Sequence, residues 1–191
     1  MAPAPKLAER YTWADYLSWP EDVRFEILNG DAFAMVPPTT WHQEISDNLV
    51  ALFRERLRGK PCRAYSSPIG VKLSDADAFE PDLAVVCDRD QMQGSHIEGA
   101  PSLIIEILSP STEAYDRHTK LPRYAHFSVQ EVWFIRPHPA IVEVFWLDGE
   151  TYRVAGIFRP PEILKSPGFP DLELPLEAVF DFWTPPPELG Q

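Results

Sequence analysis

At 191 residues, with 45% apolar and 24% charged positions, the chain has the composition of a soluble globular protein and the length for one sizeable core. Its formal charge of −12 argues against a general basic field for nucleic acid, though not against a local basic patch. No apolar run approaches the roughly 20 residues of a membrane span. The opening MAPAPKLAER lacks the apolar stretch of a secretory signal, so a cytoplasmic location is expected.

Residues 1–10 read as a flexible tail and 184–191 as a Pro-rich one, on either side of a single domain over 11–183. Thr12 is placed to cap a short helix over 13–19, stopped by Pro20. Asn29-Gly30-Asp31 then separates two strand-like runs, 24–28 and 32–36, a hairpin signal. Glu26 alternates with Phe25 and Ile27 and so points to the opposite face, as an ordinary exposed strand residue or as an acid at a site. From Thr40-Trp41-His42 to about Arg58, Ile45, Leu49, Leu52, Phe53 and Leu57 recur at helical spacing, and Gly59-Lys60-Pro61 ends the pattern.

Strands are expected at 62–65 and 69–73, followed by a polar tip over 74–78. Cys62 and Cys87 sit in strand-like stretches and read as reduced core residues rather than a disulfide or a metal site. Asp82 opens the apolar strand 83–86, and Glu106 interrupts the apolar strand 103–108. Continuous apolar runs point to strands covered on both faces of an α/β sheet. A charge inside such a run is costly unless a partner, a metal or water offsets its desolvation. The polar stretch 88–101 between them reads as a mobile loop beside the site.

Ser111 or Thr112 can cap the next helix, and Pro122 predicts a kink or a new helical start near 119–121. Strands are expected over 131–135, 140–147 and 151–158, with Asp148-Gly149 as a turn and a short helix near 176–180. Trp133 and Trp146 suit either core or a dimer interface. Two basic clusters stand out: Arg54, Arg56, Arg58, Lys60 and Arg63, and then Arg117, His118, Lys120 and Arg123. Each also reads as a solvated face.

Asp82 and Glu106 on neighbouring strands have the donor chemistry that Mg²⁺ prefers, with water and phosphate oxygens completing its shell. Lys120 would orient a water and offset charge on a phosphate. Other readings stand beside this one. Asp116 and Lys120 have the spacing of a helical ion pair, Asp82 can cap a strand after Pro81, and Glu106 can pair with an arginine.

The pieces RFEILNGDAFAMVPPTTWHQEI, PDLAVV, LIIEILSPST, the Asp116-to-Lys120 step with LPRYA, and VQEVWFI give a joint order along the chain. In that order the sequence resembles the Uma2 family of endonucleases, a branch of the PD-(D/E)XK nuclease superfamily. The resemblance implies an α/β fold, a restriction-endonuclease-like mixed central sheet flanked by helices. It also implies a Mg²⁺ (or Mn²⁺) phosphodiesterase site acting on DNA, for which a homodimer would suit cleavage of both strands. Asp82 then matches the PD aspartate and Glu106 the second acid. Leu108 stands where the superfamily lysine is usual, and Lys120 would replace that lysine in space. Glu26 resembles the family's N-terminal acid, and His42 and Gln43 match the polar start of the long helix. Tyr124 reads as packing one turn beyond Lys120. Phe127-Ser128-Val129 departs from a small residue and glycine, and Arg136 from an aspartate. The alternative is a catalytically inactive nuclease fold serving as a binding or assembly module. A third reading is a structural domain in which Lys120 neutralises Glu106.

Overall fold

The computed structural model describes residues 10–20, 24–184 and 186, so the two expected tails lie almost wholly outside the described residues. Helix α1 (Trp13–Ser18) starts in a capping box: Thr12 accepts from the Asp15 N–H, and the Asp15 carboxylate takes the Thr12 N–H at 2.8 Å. The hairpin of β1 (Phe25–Leu28) and β2 (Asp31–Ala34) turns through Asn29 and Gly30, with φ of 49° and 83°. Those positive angles match the right-handed twist of the two strands. Thr39 caps α2 (Thr40–Arg56) by accepting from the His42 N–H.

β3 (Arg63–Ser66), β4 (Gly70–Ser74), β5 (Asp77–Phe79), β6 (Leu83–Val86), β7 (His96–Glu98) and β8 (Leu103–Ile107) follow. The expected polar tip is therefore partly a strand. Asp77 supports it by accepting from the Asn29 N–H, Ser74 Oγ and the Arg123 guanidinium. The stretch 88–101 is not a free loop either. It contains a short 3₁₀ turn (Arg89–Gln91) and β7, which pairs in parallel with β4.

Next come α3 (Glu113–Tyr115), a π-helical turn (Asp116–Lys120) and α4 (Leu121–His126). Pro122 stands at the start of α4, and the wider turn before it accommodates a ring that offers no N–H. Strands β9 (Glu131–Arg136), β10 (Ile141–Asp148), β11 (Thr151–Phe158), β12 (Ile163–Lys165) and β13 (Glu173–Pro175) lead to α5 (Leu176–Val179).

The strands form a six-stranded sheet, β11-β10-β9-β8-β6-β3, a five-stranded sheet, β2-β1-β5-β4-β7, and a small β12-β13 pair. In the larger sheet β8 and β9 are parallel and the other neighbours antiparallel. Ile45, Leu49 and Phe53 of α2 pack on one face, against Leu83, Val85, Leu103, Ile105 and Trp133. The opposite face sets Ile104, Val132 and Phe134 against Phe79 and Tyr124. Both faces are thus covered, as the unbroken apolar runs require. Trp133 is fully buried, which removes it from any surface interface. No helix of the described residues is long and apolar enough to cross a membrane.

The cysteine expectation is overturned: Cys62 and Cys87 are joined in a disulfide. The cause is strand register. Arg63 lies opposite Val86, so one step further along the same antiparallel pair the two cysteines face each other. A separation of 25 residues gave no hint of that pairing.

Two stability predictions follow from these contacts. Burial alone would raise the Asp77 pKa, but its hydrogen bonds to Arg123, Asn29 and Ser74 and the Arg123 charge hold it below the ordinary value. A depressed carboxyl contributes stability above its unfolded pKa and loses it as pH falls through the folded one. Asp77→Ala should cost about 3 kcal/mol near neutral pH. Urea midpoints of wild type and variant should converge as pH falls below the ordinary carboxyl range; a constant gap would contradict this. Ser128 holds a left-handed φ of 61° without being glycine. Ser128→Gly should therefore raise stability by about 0.5–1 kcal/mol, read from the same midpoints at pH 7.

Candidate active site

One end of the larger sheet gathers acids around a single lysine. β6 and β8 are antiparallel with Leu83 opposite Ile105, so the next step of that register puts Asp82 opposite Glu106. Side-chain alternation places both on the face shared by Ala84 and Ile104, away from the α2 core. The Ile107 N–H donates to Asp82 Oδ2 at 2.6 Å, pinning the aspartate to the strand that carries Glu106. The corner bearing Asp82 is braced by the Ser67 N–H, which donates to the Asp82 carbonyl, and by Arg24, whose guanidinium reaches both Ser67 and Glu80.

Glu106 is 4% exposed. Its Oε1 accepts from Lys120 Nζ at 3.1 Å and from the Tyr124 hydroxyl at 2.6 Å. Tyr124 is packing and more: its ring meets Phe79 edge-on while its hydroxyl orients the acid. Lys120 projects from the π turn and also reaches Glu26 Oε1 at 2.9 Å and Asp116 Oδ1 at 3.6 Å. Glu26 occupies the inner face of β1, and its Oε1 takes the Glu80 N–H as well. It is thus an acid at the site and not an exposed strand residue.

The electrostatics follow from burial. Glu106 is pushed well above the ordinary carboxyl range by desolvation, opposed by Lys120 and reinforced by Asp116, Asp82 and Glu26. Asp116 is raised for the same leading reason, against the pull of Lys120 and a hydrogen bond to Thr112. Desolvation would lower Lys120, yet Glu106, Glu26 and Asp116 together hold it well above its usual value. Three carboxyls thus share one ammonium, and Asp82 stands beside them as a fourth acid. A buried cluster with that surplus has two ways to balance: retain a proton or take up a cation.

Among the described residues no three His, Cys, Asp or Glu side chains converge as a ready metal cage. The donor set is the two-carboxylate, all-oxygen kind that hard divalent cations accept with water and phosphate oxygens. Asp82 and Glu106 fit that chemistry.

His42, in the first turn of α2, sets Nε2 3.0 Å from Asp82 Oδ1, while its buried Nδ1 has no partner. It is a member of the site, whereas its neighbour Gln43 is exposed and stays outside. Sequence reasoning missed Tyr115. Its ring lies 4.8 Å from Phe33 and 5.8 Å from Lys120 Nζ, and its buried hydroxyl is unpartnered. Burial, then the charge of Glu26, raises its phenol pKa. Nothing in the sequence marks Tyr115 off from any core aromatic. Arg136 has a structural role: it pairs with Glu113, which also holds Arg117, and Arg117 in turn pairs with Glu143. That network ties α3 to the β9–β10 hairpin behind the site.

Comparison with known proteins bears on the fold and the family. A solved structure titled as a "putative nuclease belonging to DUF820", from Anabaena variabilis, superposes with a TM-score of 0.73, covering 89% of this chain and 97% of that one. At 22% identity the likeness shows a shared fold, which is restriction-endonuclease-like. An "Uncharacterized protein slr1290" from Synechocystis is 36% identical over 128 residues, and the match spans 65% of this chain and 65% of the relative's length. The family model described as "Uma2: Putative restriction endonuclease" matches residues 13–177, most of the sequence, and the chain belongs to that family.

Proposed function

We propose that the chain is a metal-dependent DNA endonuclease, hydrolysing phosphodiester bonds with Asp82 and Glu106 as the holders of Mg²⁺ or Mn²⁺. The observation that carries this reading is the register-opposed pair Asp82 and Glu106 within a cluster of surplus carboxyls. A divalent cation bound there supplies a Lewis acid for a phosphate oxygen and a bound water of lowered pKa. The chain's own residues supply position. The Ile107 N–H and His42 fix Asp82, and the Tyr124 hydroxyl and Lys120 fix Glu106, so neither carboxyl has to reorganise.

Lys120 is the group that orients the attacking water and offsets charge building on the phosphate. Glu26 and Asp116 act through Lys120 and are positioning residues. A homodimer would present two such sites, one for each DNA strand.

One feature favours a second reading, an inactive binding or assembly module. Lys120 is buried at 5% exposure and already shared among three carboxyls, a network that is self-contained. The two readings part in solution. Titrating Mg²⁺ or Mn²⁺ calorimetrically into wild type should give one-site binding, with plasmid nicking alongside. Asp82→Asn keeps an oxygen acceptor for Ile107, and it should abolish that heat and cut nicking by about 10²-fold or more. No heat in wild type at millimolar metal would leave the inactive module standing. Lys120→Met should retain the metal heat and lose nicking by about 10²–10³-fold. The same variant loses roughly 3–5 kcal/mol of stability on either reading, so nicking is the discriminating readout: if Lys120 is only structural, wild type shows no nicking for it to remove.

A further inference from the structure

At the far end of α2 from the acid cluster, a groove of about 390 Å³ opens between the helix's last turns and the edge strand β3. Its floor is apolar, with Phe53 and Leu57 buried and Ala64 beside them. Tyr65 stands in the wall, half-buried. Arg54, Arg58 and Arg63 line the groove and are exposed.

These three guanidiniums differ from their neighbours in having no acid. Arg56 meets Glu55, and Lys60 meets Asp171. Arg63 donates only to the backbone carbonyls of Lys60 and Cys62, and among the described residues no carboxylate pairs with Arg54, Arg58 or Arg63. In a chain with 29 Asp and Glu against 17 Lys and Arg, three unpaired arginines in one groove run against composition.

A helix-end role does not account for them. The carbonyl end of α2 carries only about half an elementary charge, less than one arginine satisfies. A guanidinium fork matches phosphate oxygens in geometry, and an aromatic wall suits the face of a base. The volume falls within the roughly 300–1,000 Å³ of small-ligand clefts.

We infer that this groove is a second binding site, which takes one nucleotide unit with its phosphate on Arg54, Arg58 and Arg63 and its base against Tyr65. The inference rests on the nuclease reading in one respect: the unit then belongs to the polynucleotide being cut. Along α2, Arg54 lies about 18 Å from His42, at 1.5 Å per residue. That distance corresponds to about five nucleotides at 3.4 Å each. A strand that followed α2 from the acid cluster would span that distance in several nucleotides.

The test measures binding with chelator present, so that cutting plays no part. Fluorescence anisotropy follows a labelled single-stranded 20-mer at several salt concentrations, and calorimetry follows a 5′-mononucleotide and inorganic phosphate. Arg54→Gln/Arg58→Gln/Arg63→Gln should weaken the 20-mer at least 10-fold and reduce the log–log salt slope by about 2. Its melting temperature should stay close to wild type, since the three side chains are exposed. The matching triple lysine variant should restore most of the slope, and Arg58→Glu alone should weaken binding even if the triple variant folds poorly. Mononucleotide binding that the triple variant loses, without any effect on the 20-mer, would support the site and identify its occupant as a free nucleotide.

Affinity for both the 20-mer and the mononucleotide unchanged in every variant overturns the proposal, as does wild type that binds neither nucleotide form at millimolar concentration. The nuclease reading fails separately. A protein that nicks plasmid but binds independently of these arginines loses the groove alone, and one that binds through them but never nicks loses the catalytic reading alone.

Discussion

The buried ammonium of Lys120 is the constraint on which the surrounding geometry depends. Removing an ion from water costs several kcal/mol, and only well-aligned partners offset it. Here two partners come from distant parts of the chain, Glu26 from β1 and Glu106 from β8, and a third, Asp116, from the same π turn. β1 belongs to the five-stranded sheet and β8 to the six-stranded one. One side chain thus joins both sheets to the helix between them. The π turn has a part in this, because its wider winding brings Asp116 and Lys120 inward together just before Pro122 restarts the α-helix.

The rest of the fold holds the two sheet ends in register around that contact. Arg24, Glu80, Tyr16 and Ser67 brace the corner from which Asp82 projects. Asp77 links the β1–β2 turn, the β4–β5 turn and Arg123 of α4. Glu131 performs a similar task at the other end of β9. It accepts from the Trp133 indole, Ser166 and the Gly168 N–H, and so seats the β12–β13 pair against the sheet. Burial raises its pKa, and these three donors pull the other way.

What was legible in the sequence followed physical cost. Asp82 and Glu106 stood out because acids in apolar strands need compensation, and the structure brings them to adjacent positions. The hairpin at Asn29-Gly30, the cap at Thr12 and the break at Pro122 were readable because each is set by local backbone chemistry. What escaped was set by strand register or long-range packing. The Cys62–Cys87 bond depends on β3 pairing with β6, and the role of Asp77 on three partners from separate segments. Tyr115 joined the site only through the fold of the π turn. His42 and Gln43 looked alike in sequence, and helical rotation alone separates them.

The fate of the basic residues shows why composition misleads in a chain of net charge −12. Of the second cluster, Lys120 is sealed among carboxyls, Arg117 is held by Glu113 and Glu143, and Arg123 is held by Asp77. Those charges are met by carboxylates, and little of that field reaches solvent. Arg54, Arg58 and Arg63 lack carboxylate partners among the described residues, so their charge is open to an approaching anion. Salt screens such exposed charges beyond roughly 10 Å, which makes local placement matter more than the total. A polyanion is disfavoured by the net charge as a whole, and the groove is a place where unpaired guanidiniums locally oppose that repulsion. On the proposed reading, the carboxyl cluster itself would repel phosphate until a cation neutralised it. Contact at the groove, on the far end of α2, is then one attraction a strand would meet before the site is charge-balanced.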